Sequence, residues 1–400
     1  PHPANRPAAC WIFVATFVLT ALALGPSARI SAAGKNVVLV VVNDQGLAAG
    51  CYQDPLAHTP ALDALAAEGT RFSQAFASAA SSSASCAAIL TGLAPHESGQ
   101  LGDQRSFQTK RFVRSLPVLL SRAGYRTCAI GRLPVEPESI YRFDEYPNQQ
   151  AAGNRSLVQM ASNAELFIRQ PDDRPFLIYY APADPGRSGG GFGNQRKYPG
   201  VREVTCDPQR VPLPDFLPDL PAVRSDLAQF YQAVARTDQG LGRLVRALKS
   251  TGHWDDTLVI YVSDNGMAFP GGATNLYDSG LRLPLVIRSP AAERHGLVSQ
   301  AMVSWTDLLP TLREWTGARG PNYPLPGRSL LEILSTEHPD GWDEVYASHS
   351  FDEVTMYYPM RTIRTRQHQL IVNLEPALEF PLSGELHGSP TWQAILTDTD

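Results

Sequence analysis

The 400-residue chain has no excess of positive charge: 34 Lys+Arg stand against 39 Asp+Glu, a formal net charge of −5. Contacts to many phosphates leave a basic footprint, so this balance excludes a general nucleic-acid binder. Cysteine is scarce, with five residues at positions 10, 51, 86, 128 and 206 and none in a CxxC spacing. That excludes the common zinc and thioredoxin-type motifs, leaves room for one disulfide and requires none at this size. There is no internal repeat and no low-complexity tract. After one apolar run near the start, no second run approaches a spanning length. What is present is ordinary for a folded protein. A hydrophobic content of 43% excludes a disordered chain, and 31 Gly with 33 Pro mean many loops around a large core.

The single apolar run lies at the beginning. Arg6 precedes an uncharged stretch from Ala8 to Leu24, then Gly25-Pro26 and the small residues Ser31-Ala32-Ala33. A run at the lower edge of spanning length followed by helix breakers and small residues predicts a signal peptide over 1–33; an uncleaved anchor is the competing expectation. With the leader removed, no membrane span remains. The mature protein is expected to be exported to a periplasmic, extracellular or lysosomal compartment, according to the host. Asn154-Arg155-Ser156 is a glycosylation sequon if that host glycosylates exported proteins.

From there, buried strands alternate with helices. Val37–Val42 (VVLVVV) is a continuous β-branched run of the kind found in central parallel strands. Helical patterns follow at Pro60–Glu68, Ala84–Thr91 and Val113–Arg122, with strands at Thr127–Ile130 and Phe176–Ala181. A long amphipathic helix is predicted over Ala222–Leu248, then strands at Asp256–Ser263 and Leu285–Ser289. Gly186–Tyr198 and Asp207–Pro221 read as long loops. This order predicts an α/β fold: a doubly wound, mainly parallel sheet flanked by helices, with function at the carboxyl ends of its strands.

Three polar clusters stand out. Asn43-Asp44-Gln45-Gly46 and Ser263-Asp264-Asn265-Gly266 follow two of the buried strands. Their carboxylates and amides are hard oxygen donors suited to calcium or magnesium, and equally suited to ordinary turn chemistry before glycine. Ser81-Ser82-Ser83 precede an apolar helix, where serine serves either as a cap or as a nucleophile at a helix N-terminus.

Longer motifs decide the matter. NDQG (43–46), HTPALDALAAEGTRF (58–72), ILTG (89–92), DTLVIYVSDNG (256–266) and TNLYDSG (274–280) resemble the sulfatase family of the alkaline phosphatase superfamily. SLPVLLSRAGYRT (115–127), DDRPFLIYYA (172–181), RTDQGLG (236–242), PGRSLL (326–331) and EVTMYYPMR (353–361) extend the resemblance. The last of these is similar to the sulfamidase-like branch, which acts on N-sulfated glucosamine. The resemblance implies a sulfatase-type α/β domain over 34–340. It also implies the start of a small carboxyl-terminal α+β subdomain over 341–400, the chain stopping where the family continues.

It also implies roles. Ser82 falls at the position of the formylglycine precursor in the C-x-P-S-R motif, with Ala84 at the motif proline and Cys86 at the motif arginine. Asn43, Asp44, Asp264 and Asn265 fall at the metal ligands, so one carboxylate of the family has become an amide. Arg132 replaces a lysine, while Pro134, Ala183 and Ala273 replace two histidines and a cation of the sulfate pocket. His349 and Glu353 fall on the substrate side, and His96 follows the nucleophile helix. A calcium-class cation is therefore expected to bind weakly, and sulfated glycans are the expected partners. Three functions fit this scaffold. It is a sulfohydrolase using formylglycine at Ser82, a metal-dependent phospho- or other ester hydrolase using the unmodified Ser82 hydroxyl, or a non-catalytic relative that keeps the cleft.

Overall fold

The structure, a computed structural model, describes residues 35–148, 153–189 and 191–398. The expected signal peptide lies outside them. Among the described residues there are ten strands. β1 (Asn36–Val42), β2 (Thr70–Phe76), β3 (Arg126–Gly131), β4 (Phe176–Ala181), β5 (Thr257–Ser263), β6 (Leu285–Arg288) and β7 (Leu297–Ser304) form one sheet in the order β3-β4-β1-β5-β6-β2-β7. Every neighbouring pair is parallel except those made by β6. The 21-residue link from β5 carries only the four-residue helix Asp278–Leu281, too short to return the chain to the starting end of the sheet, so β6 enters from the opposite side. β8 (Glu344–His349), β9 (Met360–Thr365) and β10 (Gln369–Asn373) form a small antiparallel sheet in the order β10-β9-β8.

The two-residue period of β1 explains why it is apolar throughout. Val37, Leu39 and Val41 face one core layer with Ile89, Leu90 and Trp305, whereas Val38, Val40 and Val42 face another with Leu241, Leu244 and Leu248. The helix Pro221–Ser250 supplies the latter three. Its earlier turns place Leu227, Phe230 and Val234 against Phe192 and Phe269, anchoring the loops that follow β4 and β5.

Most expected elements are present with shifted ends. The helix expected from Val113 begins at Leu116, after Ser115 and with Pro117 in its first turn. β2 and β7 are additional to the expected strands; Ser73-Gln74 and Ser299-Gln300 interrupt their apolar patterns. The cysteines at 51, 86, 128 and 206 are all unpaired.

One buried carboxylate couples this packing to pH. Asp238, on the long helix, accepts the backbone N–H groups of Ala61 and Leu62 at 2.9 and 2.8 Å, capping the helix Pro60–Ala67. Burial pushes its pKa up to about 7 despite those bonds. The folded state therefore holds this proton more tightly than the unfolded chain, whose Asp titrates near ~4. The stabilisation is complete below that value and is lost as pH rises through about 7. Chemical denaturation across this window should show wild-type stability falling as pH rises, and Asp238→Asn should flatten the slope.

Candidate active site

β1 and β5 are adjacent and in register from Asn36↔Thr257 to Val42↔Ser263, so Asn43-Asp44 and Asp264-Asn265 emerge side by side. The Asp44 N–H donates to Asp264 Oδ1 at 2.9 Å, and the Asp264 N–H donates to the Val42 carbonyl at 3.0 Å. Asp44 has φ +53°, a left-handed conformation that costs a non-glycine residue about 1–2 kcal/mol. Asn43 donates its amide N–H to the Ala183 carbonyl at 3.2 Å, while its buried Oδ1 has no partner. Gly186 permits this approach, since a Cβ there would collide with Asn43 Nδ2.

Ser82 opens the helix Ser82–Thr91 and donates its hydroxyl to Asp44 Oδ1 at 3.2 Å. Free N–H groups at that helix start favour negative charge beside the hydroxyl. Cys86 lies one turn further in, its Sγ 3.9 Å from Asp264 Oδ2 and 3.8 Å from the Tyr179 hydroxyl. Burial holds its thiol far above the ordinary range, so it is a packed, protonated group.

Arg132 follows Gly131 at the end of β3. Gly131 has φ +109°, and a Cβ there would collide with the Ala181 carbonyl oxygen. The resulting turn aims the arginine under the sheet end. Its Nη2 pairs with Asp264 Oδ2 at 2.8 Å, and its Nε donates to the Pro182 carbonyl at 3.3 Å. Burial raises the pKa of Asp44, repulsion from Asp264 adds to this, and Arg132 opposes both.

These groups open into a cavity of about 410 Å³. Asn43, Asp44, Ser82, Arg132, Asn265 and Glu353 all line it, and Asp264 sits immediately beneath. His349 does not line it. It ends β8, is 3% exposed with Nδ1 unpartnered, and is pushed down to about 4 by burial and the nearby Arg361. His96 is exposed on the short helix Pro95–Ser98. Pro134, Ala183 and Ala273 contribute uncharged wall.

Other charged groups of the lining carry no local signature in the sequence. Arg105 pairs with Asp103, Arg155 with Asp184, and Arg187 with Asp226. Asp184 is fully buried and also holds Arg236. Asp352, Glu353 and Glu385 face the cavity from the carboxyl-terminal segment. Burial pushes Asp352 up to about 6 and raises Glu385 as well. Of these partners only Asp184 adjoins a position that the family motifs mark, Ala183.

The four expected ligands are two carboxylates, Asp44 and Asp264, and two amides, Asn43 and Asn265. Among the described residues no three His, Cys, Asp or Glu side chains are grouped to hold a metal ion. Nor is any described helix long and apolar enough to cross a membrane.

A mostly parallel sheet with acidic strand ends and a serine at the start of an adjoining helix is the architecture of the alkaline phosphatase-like hydrolases. Solved structures agree. One is a protein in complex with its substrate D-glucosamine-2-N,6-O-disulfate (TM-score 0.66, 20% identity, 86% of this chain and 92% of that chain). Another is the phosphonate monoester hydrolase of Agrobacterium radiobacter (TM-score 0.67, 17% identity, 86% and 90%). Within that class the chain belongs to the sulfatase family. The family model described as Sulfatase matches residues 35–318, and the one described as N-sulphoglucosamine sulphohydrolase, C-terminal, matches residues 273–384. Human N-sulphoglucosamine sulphohydrolase is 40% identical over 398 residues, covering 91% of this chain and 78% of the human protein. Human arylsulfatase A is 26% identical, covering 83% and 74%.

Proposed function

We propose that this chain binds sulfated glucosamine-type glycans in the cavity and removes sulfate from them very slowly or not at all. One observation carries the slow or absent turnover: each of the four arginines lining the cavity already has a carboxylate partner, Asp103, Asp264, Asp184 or Asp226. A sulfate entering here meets little uncompensated positive charge, and the uncharged Pro134, Ala183 and Ala273 add none. Transition-state stabilisation depends on donors aimed at developing charge before the reaction begins. The 40% identity to human N-sulphoglucosamine sulphohydrolase supports the ligand class.

On this reading Ser82 stays a hydroxyl, because Cys86 stands where the arginine that helps specify formylglycine is expected. Calcium binding at Asn43, Asp44, Asp264 and Asn265 is weak. Residues 341–400 form a small carboxyl-terminal subdomain and 1–33 a cleaved leader; amino-terminal sequencing of native protein should begin near Gly34. Titration calorimetry with an N-sulfated glucosamine oligosaccharide, paired with mass spectrometry of the Ser82 peptide, tests the main reading. Weak binding with unmodified serine is the expected result. Absence of binding, or formylglycine at Ser82, would overturn it. Turnover of an aryl phosphate dependent on the Ser82 hydroxyl would instead favour the ester-hydrolase alternative, for which the 3.2 Å contact with Asp44 is the favourable feature.

A further inference from the structure

The oxygens that would surround a cation at the ends of β1 and β5 are engaged elsewhere. Asp264 Oδ1 accepts the Asp44 N–H at 2.9 Å, and its Oδ2 accepts the Arg132 guanidinium at 2.8 Å. Asp44 Oδ1 takes the Ser82 hydroxyl, and Asn265 Oδ1 takes the Gly266 N–H at 2.9 Å. Among the oxygens of the four side chains, only Asn43 Oδ1 and Asp44 Oδ2 have no hydrogen-bond partner among the described residues. Calcium takes about six to eight oxygens, and magnesium demands near-octahedral geometry. Asn43 also contributes an amide, so the cluster holds two carboxylates and not three.

Two carboxylates this close repel each other once buried, a repulsion that a neighbouring cation relieves. Arg132 is that charge. Its place is determined by three contacts: backbone N–H to the Ala181 carbonyl at 2.6 Å, Nε to the Pro182 carbonyl, and Nη2 to Asp264. Asp264 is fully buried and Arg132 only 20% exposed at its side chain, so the pair is poorly screened by water. A guanidinium cannot lose its proton in a protein, which makes the charge permanent.

We propose that Arg132 is the resident cation of this site, so that the cluster assembles without a metal and a divalent ion must displace the guanidinium to enter. This holds whether or not the cavity turns sulfate over, and its test reads metal binding, not activity. Chelator-treated full-length protein is followed by thermal unfolding and calcium titration calorimetry. Wild type should unfold at the same temperature with and without chelator. Arg132→Met should become calcium-stabilised and bind calcium roughly tenfold or more tightly than wild type, since two carboxylates lose the guanidinium that offsets their repulsion. Adding Asp264→Asn to that variant should abolish the gain. Should Arg132→Met fold only with calcium present, that dependence is the same result in stronger form. Tight calcium binding by wild type with a chelator-sensitive melting temperature overturns the proposal. So does an Arg132→Met variant with no gain in calcium affinity, or one that calcium cannot rescue from misfolding.

Discussion

Full-length protein co-expressed with a formylglycine-generating enzyme should show no turnover, or very slow turnover, of N-sulfated glucosamine and of an aryl sulfate. Its rate should match that of Ser82→Ala. The expectation follows from the proposed function, on which several groups are missing at once. Cys86 is a buried thiol, Pro134, Ala183 and Ala273 are uncharged, and Arg132 spends its Nη2 on Asp264. Removing one preorganised donor commonly costs ~10²–10³ in rate, and deficits at groups acting together do not add simply. Even one such loss is readily measured against a competent sulfatase. The informative comparison restores groups: Ala183→His with Pro134→His returns two proton-bearing side chains to the wall and should raise a detectable rate only if Ser82 is also modified. Robust wild-type turnover that vanishes in Ser82→Ala would sink the proposed function.

Asp226→Ala should destabilise the fold by about 3–5 kcal/mol, because it strands a buried guanidinium. Arg187 and Asp226 have side chains 1% and 2% exposed, joined by Nη1–Oδ1 and Nη2–Oδ2 contacts of 3.1 and 2.7 Å. The pair sits among Phe192 and Phe269, whose ring centroids lie 4.4 and 5.1 Å from the guanidinium carbon. Arg187 Nε also donates to the Ala268 carbonyl, and the Thr391 hydroxyl donates to Asp226 Oδ2 at 2.7 Å. One ion pair thus ties together the loop after β4, the long helix, the loop after β5 and the terminal helix Pro390–Thr397. Denaturant unfolding of Asp226→Ala, Thr391→Val and the double variant Arg187→Met/Asp226→Leu tests the account. Thr391→Val removes one hydrogen bond to a charged group and should cost ~1.5–3 kcal/mol. The double variant should recover much of the single variant's loss, since well-packed apolar residues commonly replace a buried pair without penalty. A loss below about 1 kcal/mol for Asp226→Ala would mean that water reaches the guanidinium.

The parts of this protein written in short stretches of chain are legible from sequence alone. VVLVVV forms a strand buried on both faces, as its composition requires, and the acidic turns after β1 and β5 carry their chemistry within four residues. The serine-rich helix start, the long amphipathic helix and the family motifs are equally local. Strand and helix periods are properties of neighbouring residues, and so survive reading in one dimension. β2 and β7 escape such a reading because Ser73-Gln74 and Ser299-Gln300 face partners supplied by distant segments. The Ser73 hydroxyl contacts Ser299 and Gln300 across 226 and 227 residues.

The electrostatic state of the cavity is decided only by the tertiary structure. Arg132 falls where the family resemblance implies a catalytic lysine, yet Asp264, 132 residues away, claims it. Arg155 and Arg187 give no sequence signal, because their carboxylates lie 29 and 39 residues away. His349 and Glu353 are close in sequence, but the end of β8 buries the histidine ring while the following turn carries Glu353 to the cavity. Sequence specifies which charges exist. Whether a charge is available to a ligand depends on which opposite charge the fold brings within ~4 Å of it and how much water remains between them, and neither is a property of adjacent residues.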